Sequence, residues 1–319
     1  MAVYTKISKK DLENFLSNYN LGQLKSFQGI VEGIENTIYM LITSSGKYIL
    51  TLYEKRVRQE DLPFFMNLLS SLSDQKFKCP KPIQDKKGIY INKIKDKNAS
   101  LVSYIEGKSK KNLSPLECKD IGKMSANIHL LTKKIKAKPN QVSINYWKDA
   151  FHKVKNECDT IKKGLANDIN ISLNSLEKNW PKNLPKGIIH ADIFPDNILF
   201  YSGKVSGIID FYFSCNDFFA YDIAICLNSL CFENQSTFNV TKAKNFIKGY
   251  NSVRELNKKE KECLPILAQG AAMRFLITRV YDYLKQTNLD GAIFRTKDPI
   301  EYLKRLEFHN SVKSYEDYF

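Results

Sequence analysis

Gly187–Phe213 reads GIIHADIFPDNILFYSGKVSGIIDFYF, and it sets His190, Asp192, Asp196, Asn197 and Asp210 among short apolar runs. Asp and Asn are poor strand formers, and a buried carboxylate is costly unless it is paired or metal-bound. Three carboxylates and an amide so close together would repel one another without a cation. Hard oxygen donors of this kind suit Mg2+, which is typically held by one or two carboxylates plus substrate phosphates. A loop whose Asp and Asn residues cap short helices has the same composition, so composition alone leaves both readings open.

The order of the residues separates them. H-A-D-I-F-P-D-N-I, followed after a short hairpin by I-I-D-F, resembles the H-x-D-x-x-x-x-N catalytic loop and later metal Asp of the protein-kinase-like superfamily. The form without an Arg between His and Asp is similar to aminoglycoside phosphotransferases, choline kinases and their relatives. In such enzymes the loop Asp accepts the proton of the substrate hydroxyl, while the Asn and the later Asp hold magnesium. The resemblance therefore implies Asp192 as base, Asn197 and Asp210 as Mg2+ ligands, and ATP as phosphoryl donor. It gives His190 the structural task of holding the loop, and Asp196 that of a cap.

The likeness runs over nearly the whole chain. EGIENTIYMLITSSGKYILTLYEKR (32–56), EDLPFFMNLLSSL (60–72), IIDFYFSCNDFFAYDIAICLN (208–228) and MRFLITRVYDYL (273–284) resemble the homoserine kinases of the aminoglycoside-phosphotransferase type. No P-x-x-x-G-L-G-S-S loop, the mark of the other homoserine kinase type, occurs. The resemblance implies an α+β, protein-kinase-like fold with two lobes: a β-rich nucleotide-binding lobe over 1–105 and a mainly helical lobe over 106–319. It implies ATP-dependent phosphorylation of the side-chain hydroxyl of L-homoserine.

Toward the N-terminus, Gly29 and Gly33 flank the start of a β-rich run and would let backbone amides approach phosphate. Their spacing is short of G-x-G-x-x-G, and an ordinary loop before a strand reads the same way. Asn36 resembles a loop Asn that contacts phosphate or braces the turn. Glu32 and Glu35 would repel phosphate and are expected to turn away. Kinase-like folds place a Lys or Arg on the third strand; here that position is Thr51. Strand alternation puts Lys47, Thr51 and Lys55 on one face, but four residues span about 13 Å, too far for either lysine to substitute. Glu60, the usual partner of the missing Lys, loses its assigned role. In L-V-S-Y-I-E-G (101–107), the backbones of Ser103 and Ile105 are the candidates for adenine.

Homoserine carries a carboxylate, an ammonium group and the acceptor hydroxyl. A planar guanidinium fork suits the carboxylate, and Arg274 and Arg279 share one helical stretch, about 140° apart around its axis. Arg274, amid apolar neighbours, is the candidate carboxylate clamp, with an ion pair to Asp217, Asp222 or Asp282 as the plain alternative. Asp217 would take the ammonium or cap a helix, Tyr212 and Asn228 are further candidate contacts, and Asp222 in Y-D-I-A resembles the residue that braces the catalytic loop.

Organisation and composition agree with two lobes. A short helix near the start, a hairpin turning at Ser44-Ser45-Gly46 and a helix from about Glu60 with Leu62, Phe65, Met66, Leu69 and Leu72 at helical spacing precede a strand ending at Gly107. Helical patterns then occupy 115–132, 145–163, 168–180, 216–232, 240–252 and 258–285. No apolar run approaches the ~20 residues of a membrane helix, the first residues lack a signal-peptide pattern, and seven scattered cysteines without C-x-x-C read as buried free thiols. The expected setting is cytoplasmic, without membrane or nucleic-acid partners. The net charge of +15 would invite nucleic acid, but 42 of the 49 basic residues are Lys, spread along the chain. The alternatives are a choline kinase, which wants an aromatic cage, an aminoglycoside kinase, whose polycationic substrate sits badly with +15, and, from Thr51, a nucleotide-binding module without turnover. Nothing in the sequence bears on oligomeric state.

Overall fold

The computed structural model describes residues 5–30, 36–54, 57–234, 236–285 and 297–319. The chain divides into two compact units: Met1–Lys108 with Leu199–Tyr201 and Ser206–Tyr212, and Ser109–Ile198 with Ser202–Val205 and Phe213–Phe319. The sequence reading set a boundary at 105/106; the first unit runs to Lys108 and also takes up two stretches of the motif region.

The first unit is an antiparallel sheet with a helix packed on it. Helix α1 (Lys9–Leu16) begins with a capping box, in which Ser8 and Asp11 satisfy each other's backbone N–H groups. Strands β1 (Leu24–Ile30), β2 (Thr37–Thr43), β3 (Gly46–Leu52), β4 (Pro82–Ile83), β5 (Ile91–Ile94) and β6 (Lys97–Ser103) follow the order β1-β2-β3-β6-β4, with β5 also on β6. The β2–β3 hairpin closes at Ser44-Ser45, where Thr43 pairs with Gly46. Strict alternation along β2 buries Thr37, Tyr39, Leu41 and Thr43, and Leu12, Phe15 and Leu16 of α1 share a core with Leu41, Leu50, Leu52 and Leu101. A 3-10 turn (Gln59–Asp61) leads into α2 (Leu62–Asp74), which buries the five residues read from its spacing and Leu68 as well. Strand β6 stops at Ser103, so Tyr104–Gly107 is not strand as the sequence pattern suggests.

The second unit is mainly helical: α3 (Pro115–Leu131), α4 (Ile144–His152), α5 (Leu165–Asn179), α6 (Phe219–Leu230), α7 (Val240–Asn251), α8 (Lys258–Lys285) and α9 (Pro299–Ser311). Strand β7 (Lys186–Ile189) leads to a hairpin of β8 (Ile198–Tyr201) and β9 (Lys204–Ile208), and then to β10 (Cys215–Phe218), which pairs antiparallel with β7. Residues 216–218, read from sequence as the start of a helix, are therefore strand, and the expected helix over 145–163 ends at His152 with a 3-10 segment (Lys155–Thr160) beyond it. All twelve residues of α6 are buried.

Helices α3 and α7 approach through two glycines. A Cβ on Gly249 would lie 1.9 Å from the Lys119 carbonyl oxygen, and one on Gly122 would lie 2.1 Å from that of Phe246. Helix α8 revises the reading that no segment nears membrane length: by length and composition it could cross a bilayer. Its apolar window is, however, 67% buried, and the helix packs against α4, α5, α6 and α9 as a core helix does. Six of the seven cysteines are buried free thiols, with Cys263 half-buried.

Because the atom facing Gly249 is backbone and cannot swing aside, Gly249→Ala should destabilise the protein by about 1–3 kcal/mol in urea unfolding. Leu116→Ala, at a position 71% exposed, should stay within about 0.5 kcal/mol of the parent.

Candidate active site

Strand β7 ends at Ile189 and delivers His190–Asn197 as a loop within the second unit. Asp222, in the first turn of α6 and wholly buried, fastens the start of that loop. Its Oδ1 accepts the Ala191 N–H at 2.8 Å and its Oδ2 the His190 N–H at 3.2 Å. Oδ2 also meets His129 Nε2 at 3.0 Å, and His129 Nδ1 lies 2.8 Å from the Tyr250 hydroxyl. With its proton on Nε2, His129 donates to Asp222 and accepts the Tyr250 O–H. The Tyr250 oxygen accepts from Arg254 (3.0 Å), which in turn pairs with the buried Glu260 (2.8 Å). Burial pushes the Asp222 pKa up, but the hydrogen bond from His129, with the Ala191 amide, outweighs it and leaves the pKa below the ordinary value. Asp222 and His190 are the two residues read from sequence as supports of this loop. His129, Tyr250, Arg254 and Glu260 were not singled out from sequence; a His in the apolar run ANIHLL was the signal available.

The Asp192 N–H points back to His190 Nδ1 at 3.2 Å. Asn197, at the end of a 3-10 turn (Pro195–Asn197), donates its amide to the Asp192 carbonyl (2.9 Å) and to the Asp192 Oδ2 (3.1 Å). With its nitrogen so placed, Asn197 keeps its side-chain oxygen for another partner. Asp196 does not cap this turn; it is exposed and lies 3.6 Å from Lys297.

Arg274 differs from the expected carboxylate clamp. It is 2% exposed, donates to the Ala191 carbonyl at 2.7 Å and lies over the rings of Phe213 and Phe275. A fork buried against its own loop braces that loop, and no ion pair to Asp217, Asp222 or Asp282 is formed among the described residues. Arg279 is also engaged, with Glu301 at 2.6 Å and the Asp298 carbonyl at 2.9 Å. Asp217 lies on β10, where Asn140 donates to Oδ2 at 2.6 Å and the Phe218 N–H to Oδ1 at 2.7 Å. Burial raises its pKa, with those two bonds opposing. Asn228 is wholly buried and bonds the carbonyls of Ala224 and Ala268, so it serves the packing of α6 on α8 rather than a substrate.

The remaining residues read from sequence belong to the first unit. Asp210 comes after β9 in the left-handed region, φ 64°, and is exposed. Two residues on, Tyr212 shares a hydrogen bond with Tyr53 (2.9 Å), itself 2.6 Å from Ser100, and packs edge-on against Phe65. Burial pushes the Tyr212 pKa up to about 12, with the hydroxyls of Tyr53, Thr51 and Ser100 opposing. This anchoring, rather than contact with an acceptor, is what its surroundings provide. Thr51 is 6% exposed at the position where a strand cation was expected. Lys47 pairs instead with Glu106 (2.8 Å), and Glu60 pairs with Arg58 on the surface. Asn36 is buried and accepts the Glu54 N–H at 3.3 Å, the bracing use. Gly29 is half-buried on β1 opposite Tyr39. Gly33, Glu32, Glu35 and Lys55 lie outside the described residues. The Ser103 N–H is taken by the Lys81 carbonyl at 2.8 Å, whereas among the described residues the Ile105 backbone has no internal partner.

Among the described residues no cluster of three or more His, Cys, Asp or Glu side chains is arranged for a metal. The donors expected for one are the Asn197 amide oxygen, in the second unit, and the Asp210 carboxylate, in the first; each is a hard oxygen of the kind Mg2+ takes.

The sequence model described as "Phosphotransferase enzyme family" matches residues 26–256. A homoserine kinase of Xanthobacter autotrophicus is 46% identical over 319 residues, covering 100% of this chain and 99% of that one. A homoserine kinase of Parvibaculum lavamentivorans is 45% identical over 98% of each. Among solved structures, amicoumacin kinase in complex with AMP-PNP, Ca2+ and Ami superposes with a TM-score of 0.72 at 16% identity over 98% of both chains. Choline kinase from Cryptosporidium parvum gives 0.69 at 14% identity, over 95% of this chain and 94% of that one.

Since the folded pKa of Asp222 lies below its ordinary 3.8, its contribution to stability is complete above that value and is lost as pH falls through the lower folded value. The gap in unfolding free energy between the parent and Asp222→Asn should therefore be widest near neutral pH and narrow below about pH 4, read by denaturant titration at each pH.

Proposed function

The chain belongs to the phosphotransferase enzyme family, and we propose that it transfers the γ-phosphoryl group of ATP to the side-chain hydroxyl of L-homoserine. Its fold is α+β and protein-kinase-like, and its relatives at 43–46% identity over the whole chain are homoserine kinases. The observation that carries the chemistry is the loop H-A-D-I-F-P-D-N, in which Asn197 fastens the carboxylate of Asp192.

Asp192 accepts the proton of the acceptor hydroxyl as that oxygen attacks the γ-phosphorus in line, and no covalent enzyme intermediate is needed. The Asn197 amide holds one carboxylate oxygen of Asp192, which limits the base to one orientation. Asn197 and Asp210 are the proposed magnesium ligands; bound there, Mg2+ would offset charge on the phosphates. On the nucleotide side, the unengaged backbone of Ile105 is the proposed partner of adenine, and the Ser103 carbonyl remains a candidate where its N–H does not. Asp217, held by Asn140, is the proposed partner of the substrate ammonium group.

A coupled ADP-release assay with magnesium over homoserine, choline, threonine, serine and kanamycin tests the assignment. Homoserine should be preferred, and preference for choline or kanamycin would overturn it. Asp192→Asn should lower kcat by about 10²–10⁴-fold with the KM for ATP within a few fold. Near-normal turnover in that variant would remove the base from Asp192. Asp210→Ala should weaken magnesium-dependent ATP binding as well as rate, and an unchanged metal dependence would exclude it as a ligand.

A further inference from the structure

Ala191, directly before the proposed base, has φ 63°. This is the left-handed region, which an L residue with a Cβ disfavours and glycine does not. Nothing in the conformation of alanine itself keeps it there, yet the two peptide groups flanking its Cα are both held. The Ala191 N–H is bonded to Asp222 at 2.8 Å, and the Ala191 carbonyl to Arg274 at 2.7 Å. The second of those peptides is held at its other edge too, because the Asp192 N–H meets His190 Nδ1 at 3.2 Å. Rotation about both backbone bonds of Ala191 is thereby blocked, and the Cα of Asp192 is set in place. Asp222 and Arg274 are 0% and 2% exposed, so water does not compete for either bond.

We infer that Arg274 is a positioning residue which, with Asp222, clamps Ala191 in its left-handed conformation and so aims the carboxylate of Asp192. Arg274 acts through the backbone and touches no reacting atom. Removal of the guanidinium leaves the Ala191–Asp192 peptide held only by the 3.2 Å bond from the Asp192 N–H to His190, so that it rotates more readily toward the conformation alanine prefers and the base is misplaced in part of the population. The inference rests on the homoserine kinase reading for its assay, and turnover of homoserine by the parent protein tests that reading separately.

The test is a double-mutant cycle between Arg274→Met and Ala191→Gly, with kcat, both KM values and the unfolding temperature measured for each protein. Arg274→Met should lower kcat about tenfold or more, with the KM values for ATP and homoserine within about twofold. Adding Ala191→Gly to it should recover about fivefold or more in kcat, because glycine enters the left-handed conformation without the penalty a Cβ imposes. A merely structural arginine would not be rescued in rate by a backbone change elsewhere. If Arg274→Met fails to fold, Arg274→Lys is carried through the same cycle with the same expectation. Two outcomes overturn the inference: a raised homoserine KM with kcat retained, which makes Arg274 a substrate contact, or a double mutant no faster than the Arg274 variant.

Discussion

A carboxylate removed from water normally loses its charge, because desolvation favours the protonated form. Asp222 keeps its charge by accepting two consecutive backbone N–H groups of the His190–Asn197 loop and the imidazole of His129. Those are the same bonds that hold the loop. The stability of the anion and the geometry of the loop are therefore one constraint, and much of the second unit is arranged around it. Helix α6 is buried along its whole length so that its first turn can reach the loop. Helix α3 supplies His129, and α7 supplies Tyr250 behind it. The close glycine contact between α3 and α7 brings those two side chains within hydrogen-bonding range of each other.

The first unit solves a related problem with different means. Its motif aspartate, Asp210, also sits in the left-handed region, but the restraint comes from the three residues after it. Phe211–Phe213 forms a 3-10 turn, and Tyr212 ties that turn to Tyr53 and Phe65 by a shared hydrogen bond and ring packing. Just beyond β6, Lys47 pairs with Glu106 and lies over the ring of Tyr104. Both contacts leave the Ile105 backbone unengaged among the described residues while its neighbours are held.

What could be read from sequence depends on how local each cause is. The motif loop stood out because charged residues stand in an apolar run, and the β2–β3 hairpin because Ser44-Ser45-Gly46 interrupts two strand patterns. Residues 216–218 were misread as helix because N-D-F-F-A-Y-D continues a helical period; pairing with Lys186–Ile189 overrides it, and that partner lies far back in the chain. The break after His152 was hidden by apolar spacing that runs on through it. Arg274 was read as a carboxylate clamp, whereas the partner found for it is a backbone carbonyl 83 residues away, which leaves no side-chain signature. His129 escaped because its partner, the side chain of Asp222, lies 93 residues further on.

The distribution of thiols has a practical side. Burial raises the pKa of Cys79 and Cys118 to about 12 and that of Cys158 to about 11, and pushes Cys215, Cys226 and Cys231 up as well. Thiolate, not thiol, is the nucleophile, so burial and the raised pKa together slow the reaction of those six sulfurs while the fold persists. Cys263, half-buried in the first turns of α8, has its pKa raised by the same cause but is the one thiol within reach of solvent. An alkylating dye at mildly basic pH would accordingly label the native protein at a single position, far in sequence from the catalytic loop. Exposure of the other six would then report unfolding as a stoichiometry, from one label per chain to seven.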